Sequence, residues 1–148
     1  MNTATCELAV PADAAYLELV GQFVSFVAQR HGFTEREMAR LRLATDEACA
    51  NVVEHSTAES DVTCFTVVCE VDDQNLVVRI RDNGPLFDLE GVREPNLDAP
   101  LEKRAVGGLG IYLIRRLMDQ VELRPLPSGK ELVMTKALPT AGEPSDAD

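Results

Sequence analysis

Three stretches of this 148-residue chain combine residue types that can do chemistry. The first runs Asp46-Glu47-Ala48-Cys49-Ala50-Asn51-Val52-Val53-Glu54-His55 within a helical pattern. On a helical wheel with about 100° per residue, Ala48, Leu41, Val52, Thr45 and Met38 fall on one arc, the face a helix buries. Glu47 and Asn51 stand only about 40° apart at the border of that arc. A carboxylate and a carboxamide one turn apart can present a base and a metal ligand to a pocket roofed by other segments. The second stretch is Asp82-Asn83-Gly84-Pro85 at the end of a strand pattern. An aspartate there offers a hydrogen-bond acceptor to an exocyclic amine such as that of adenine, and a glycine beside it lets a flat ligand approach the backbone. The third is Gly107-Gly108-Leu109-Gly110, which opens a helix. Backbone N–H groups freed by glycines, with the positive end of a helix dipole, can wrap a phosphate.

Each stretch also has an ordinary reading: a surface polar pair, a turn aspartate, a flexible hinge. Standard nucleotide signatures fit poorly. No Gly-x-x-x-x-Gly-Lys-Ser/Thr occurs, so there is no P-loop. The glycines follow a long loop rather than a strand, and the third glycine of a dinucleotide fingerprint is missing.

The elements that must position these residues can be read in order. Alternation over residues 5–10 (Cys6, Leu8, Val10) predicts a short strand ended by Pro11. A helix follows, capped near Asp13, with Tyr16, Leu19, Val20, Phe23, Val24 and Val27 at helical spacing. His31-Gly32 closes it, and His31 reads as a helix-terminal residue rather than a ligand. Thr34 to Glu37 is a capping box that starts the Glu47 helix, which ends near His55. Residues 56–60 are a polar connection. Residues 62–71, with Phe65, Val67, Cys69 and Val71 on one face, and residues 76–81, with Leu76, Val78 and Ile80, form a hairpin around a turn at 72–75. Residues 85–106 hold three prolines and no period, and are read as a lid. A helix over 109–119 has Leu109, Leu113, Leu117, Ile114 and Met118 as its apolar face. A last hairpin, 121–126 and 131–138, turns at Pro127-Ser128-Gly129-Lys130. Residues 139–148 read as a disordered acidic tail. The order β-α-α-β-β-lid-α-β-β, with strands in hairpins, predicts one domain over 1–138. Its fold class is α/β (α+β): a two-layer sandwich, the sheet mostly antiparallel and the helices on one face.

Composition narrows the function. The net charge of -11 disfavours nonspecific nucleic-acid or membrane binding, and with no basic recognition helix a transcription-factor reading fails. No apolar run reaches membrane-spanning length and no export signal is present, so the cytoplasm is the expected compartment. Cys6, Cys49, Cys64 and Cys69 form no Cys-x-x-Cys pair and read as buried, reduced, structural thiols.

Taken together, Glu47-x-x-x-Asn51-x-x-x-His55, Asp82-x-Gly84 with Phe87-Asp88, and Gly107-Gly108-Leu109-Gly110-Ile111-Tyr112-Leu113-Ile114 resemble the N, G1 and G2 boxes of the GHKL (Bergerat-fold) ATPases. Within them the chain resembles the anti-sigma factor/serine-protein kinase group, over about residues 3–138. The resemblance implies that Asn51 ligates Mg²⁺ bridging the triphosphate of ATP. Asp82 would bind the adenine amine and Gly84 keep the base pocket open. Gly107, Gly108, Leu109 and Gly110 would cradle phosphates, with Lys103 and Arg104 as lid cations for the outer ones. Glu47 would be the general base that takes the proton from a substrate hydroxyl. Leu86 departs from the pattern, standing where the first glycine box often has a second glycine.

The implied function is an ATP-dependent serine/threonine protein kinase and anti-sigma factor. It would phosphorylate an anti-anti-sigma (STAS-type) protein and sequester a sigma factor, as a homodimer. The alternative is a nucleotide-gated protein-binding regulator with little or no catalysis. A histidine-kinase catalytic domain would need a phosphoacceptor hairpin for which this chain has no room.

Overall fold

The computed structural model describes residues 3–55, 63–85 and 108–139. The elements are β1 (Ala4–Pro11), a 3-10 turn (Ala14–Tyr16), α1 (Leu17–Arg30), α2 (Glu35–His55), β2 (Cys64–Val71), β3 (Asn75–Asp82), α3 (Gly108–Leu117), β4 (Gln120–Leu126) and β5 (Gly129–Ala137). The sheet order is β1-β2-β3-β5-β4, and every neighbouring pair is antiparallel. Two hairpins, β2–β3 and β4–β5, are thus joined side by side through β3 and β5. The expected two-layer α/β architecture is present. α1 lies over β2, α2 over β3 and α3 against β4.

Local signals explain the boundaries. The Asp13 carboxylate accepts from the Ala15 N–H at 2.9 Å and caps the turn before α1. At the other end of α1, Gly32 N–H donates to the Gln29 carbonyl and Phe33 N–H to that of Ala28, the paired bonds of a Schellman motif. The Thr34 hydroxyl accepts from Glu37 N–H at 3.1 Å, as the capping box requires. The Glu37 carboxylate meets Lys136 of β5 at 3.4 Å, so the first turn of α2 is tied to the sheet.

The core lies between the layers. Val20, Val24, Leu41, Ala44, Ala48, Val67, Cys69, Leu76, Val78, Ile80, Ile114 and Met134 are buried there. Thr45 is also fully buried, and its hydroxyl donates to the Leu41 carbonyl at 2.9 Å, so no polar atom is stranded.

Several expectations need correction. Cys6 and Cys64 are exposed, while Cys49 and Cys69 are buried. β1 is an edge strand buried only at Val10, so its alternation does not bring burial to Cys6. Tyr16 and Leu19 are exposed despite their helical spacing, as is Phe26. Leu19 and Phe26 lie about 100–120° around the helix from Val20, outside the stripe that α1 can bury. Ile111 and Ile114 on α3, with Met118 just past its end, take the deepest positions, while Leu113 and Leu117 are half-buried. The lid interval, except for Pro85, and the end of the tail lie outside the described residues, as does the polar connection at 56–60.

The outer face of the sheet carries charge. Glu131 is buried there, its carboxylate accepting from Arg79 at 2.8 Å and also from Arg81, while Arg79 also donates to Glu70. Burial alone would raise the carboxyl pKa of Glu131. The hydrogen bonds and charges of Arg81 and Arg79 outweigh it and hold the group below the usual carboxylate range. A folded-state pKa below the unfolded one gives stability that is in full force above the unfolded value. That stability is lost as pH falls through the folded one. Thermal denaturation followed by circular dichroism should show a melting temperature that drops on acidification below about pH 5. Glu131→Gln should melt lower at pH 7 and respond less to acid. Parallel pH curves for the two proteins would remove Glu131 as a source of this dependence.

Candidate functional site

The site is built on α2. Its apolar stripe faces the sheet, leaving Glu47 and Asn51 half-buried at the rim. The neighbouring carboxylate, Asp46, turns the other way, toward Arg42 at 4.0 Å. Of two adjacent acids, only Glu47 faces α3.

α3 meets this rim at its first turn. A Cβ placed on Gly110 would lie 3.0 Å from Glu47 Oε2, 3.7 Å from Asn51 Oδ1 and 3.8 Å from Asn51 Nδ2. The absent side chain is what lets the two helices come this close. The positive end of the α3 dipole, whose first N–H groups have no partner within the helix, therefore sits beside the Glu47 carboxylate. Gly110 of the expected glycine box and the expected Glu/Asn pair are one physical cluster.

β3 brings in the second stretch. Asp82 closes that strand with its side chain only 3 % exposed. Its Oδ1 accepts from Gly84 N–H at 2.7 Å, which fixes the carboxylate and the bend after it. Asn51 and Asp82 line the same cavity, with Ala48, Val52, Ile80, Leu132 and Lys130. Its walls are aliphatic and its polar groups few, the make-up of a site for a flat, partly apolar ligand. It encloses about 20 Å³, room for about one water.

Two participants were not anticipated. Lys130, the register partner of Asp82 on β5, donates from Nζ to Asp82 Oδ1 at 2.7 Å. Gly129 has φ +117°, and a Cβ there would fall 2.0 Å from the Asp82 carbonyl oxygen. Only glycine lets the β4–β5 turn press against the Asp82 backbone. A signal for Lys130 was present: it alternates with Leu132 and Met134, which places it on the helix-facing side of β5.

The structure thus brings Glu47, Asn51, Asp82, Gly84 and Gly110 to one end of the helix–sheet interface. α3 begins at Gly108, and the side chain of Leu109 is not described. Lys103, Arg104 and Gly107 lie outside the described residues. Among the described residues, no group of three or more His, Cys, Asp or Glu side chains could hold a metal ion by itself. Cys49, on α2, is no nucleophile: burial pushes its thiol well above the usual range, and Cys69 is pushed up to about 12.

Comparison with known proteins agrees with this geometry. Residues 10–136 match the histidine kinase-like ATPase domain. The chain is 32 % identical over 134 residues to the serine-protein kinase RsbW of Bacillus cereus, covering 88 % of this chain and 82 % of that protein. The RsbW proteins of Bacillus mycoides and Bacillus anthracis match to the same extent. Among solved structures, the RsbU and RsbW domains of Rv1364c from Mycobacterium tuberculosis superpose with a TM-score of 0.64 at 16 % identity. That match covers 91 % of this chain and 32 % of the longer one, and it shows the shared fold. By sequence match over most of its length, the chain belongs to the histidine kinase-like (GHKL) ATPase family, in the group of the RsbW serine-protein kinases.

Proposed function

We propose that this protein is an ATP-dependent serine/threonine protein kinase and anti-sigma factor. In a partner-switching module it phosphorylates a STAS-type anti-anti-sigma protein and holds a sigma factor. The observation that carries this reading is the placement of the Glu47 carboxylate 3.0 Å from the Cβ position of Gly110, at the start of a glycine-opened helix. A base and a phosphate cradle are then neighbours, as phosphoryl transfer to a hydroxyl requires.

The roles are those the family resemblance implies. Asp82 accepts from the adenine amine, with Gly84 leaving space beside it. Gly108, Leu109 and Gly110, in the first turn of α3, hold phosphates together with Gly107, with Lys103 and Arg104 for the outer oxygens. Glu47 accepts the proton as the substrate oxygen bonds to the γ-phosphorus. The bond to the β–γ bridging oxygen breaks and ADP leaves. Asn51 Oδ1 faces α3, a hard oxygen donor that fits Mg²⁺ held mainly by phosphates and water. When bound, Mg²⁺ neutralises charge on the β- and γ-phosphates. Residues 1–138 form the ATP-binding domain, with 85–106 as its lid. The functional unit is a cytoplasmic homodimer. The net charge of -11 argues against direct nucleic-acid binding, and no described helix is long and apolar enough to cross a membrane.

Glu47→Gln keeps shape and hydrogen-bonding capacity but not basicity. Radiolabelled ATP assays with the cognate substrate should show a loss of about 10²–10⁴ in rate. ATP affinity and partner capture should be retained. A variant as fast as the parent would remove Glu47 from the role of base. Asp82→Asn can turn an amide donor toward the adenine amine where an acceptor is needed. Calorimetry should show weaker ATP binding and a smaller preference for ATP over GTP. Equal affinity of the unmodified protein for both nucleotides would overturn the adenine assignment.

A further inference from the structure

The nucleobase acceptor already has a partner within the chain. Lys130 and Asp82 face each other directly across β5 and β3, and Lys130 Nζ lies 2.7 Å from Asp82 Oδ1. Both side chains are largely enclosed, Lys130 at 12 % and Asp82 at 3 % exposure. The same oxygen accepts from Gly84 N–H. The cavity these residues line holds about 20 Å³, far less than a purine ring needs. Gly129, pressed against the Asp82 backbone, fixes where β5 starts and so where the Lys130 stem leaves the strand.

We propose that Lys130 is a specificity-setting residue of the nucleotide site, an internal cation that competes with the base amine for Asp82. The inference rests on the nucleotide reading above. An ammonium donating to a carboxylate makes a charge-assisted bond, roughly twice as strong as a bond between neutral groups. An adenine amine is a neutral donor, so at Oδ1 it meets an oxygen that Lys130 and Gly84 already occupy. To admit the ring, the flexible four-carbon stem of Lys130 must swing away from Asp82. A base with a carbonyl at the same ring position, as in inosine nucleotides, meets a donor in Lys130 instead of bare carboxylate. Lys130 therefore lowers the affinity for ATP and narrows the margin between ATP and ITP. Both nucleotides carry the same triphosphate, so the attraction of Lys130 for phosphate cancels in their ratio.

The test is calorimetric titration of ATP and ITP, each with Mg²⁺, into the full chain. Lys130→Met should widen the ATP-over-ITP affinity ratio about tenfold, chiefly through tighter ATP binding. Lys130→Arg, which keeps a cation opposite Asp82, should stay near the parent ratio. If the methionine variant does not fold, Lys130→Gln, with a neutral donor, should widen the ratio in the same direction. An unchanged or narrowed ratio in the folded Met or Gln variant, with ATP still bound, overturns the inference alone. If the unmodified chain binds neither nucleotide, the nucleotide reading falls and the inference falls with it.

Discussion

The rest of the structure depends on how one helix is divided. α2 has to seal the sheet and also hold polar groups at its edge. Leu41, Ala44, Thr45, Ala48 and Val52 form its buried stripe, and the two alanines keep it close to the strands. Because that stripe is set by packing, the direction of every other α2 residue is set too. Glu47 and Asn51 are placed at the rim by the burial of their neighbours. α1 packs on one flank of α2 and α3 on the other, so the central helix fixes where the α3 N-terminus arrives. The preorganisation that phosphoryl transfer needs is here a consequence of core packing.

β5 supplies the second constraint. On its helix-facing side Lys130, Leu132, Met134 and Lys136 alternate. Lys136 donates to the last carbonyl of α3, that of Leu117, at 3.1 Å, where a cation also suits the helix dipole. On the opposite side Glu131 is clamped by Arg79 and Arg81. A slip of one residue in β5 would turn Glu131 into the helix layer and carry Leu132 and Met134 out of it. Each of these charges has a partner in one register only. The strand that carries Lys130 to Asp82 is therefore pinned by ion pairs on both faces. Buried pairs of this kind add little net stability, but breaking one leaves a charge uncompensated.

Much of this was legible in the sequence because the signals were local. Asp13, Gly32 and Thr34 mark helix ends by chemistry that needs no tertiary context. The two hairpins follow from β-branched runs separated by polar turns. The Glu47/Asn51 rim follows from helical periodicity alone. What the sequence hid was long-range. Cys6 alternates correctly yet is exposed, because nothing local says that β1 is an edge. Leu19 and Phe26 are apolar enough for a core but stand beyond the arc α1 buries. Lys130 sits 48 residues from Asp82, and only the β3–β5 pairing, which skips α3 and β4, brings them together.

The location of the site can be argued from where the chain breaks its own rules. The first turn of α3 holds two glycines, each costing roughly 0.5–1 kcal/mol of helix stability relative to alanine. α2 places a carboxylate and a carboxamide at the lip of a core. β3 ends on a buried aspartate, and β5 begins with an enclosed lysine. Singly, each is an ordinary imperfection with an ordinary explanation. But β3, β5, α2 and α3 are far apart in sequence, and their exceptions all meet at one end of one interface. The buried charge on the other face of the sheet, Glu131, is by contrast balanced by two arginines and is not among the described residues that line that cavity. Local and global preferences agree nearly everywhere in a chain selected to fold. A place where four separate elements depart from them together is therefore one where something other than folding has set the residues.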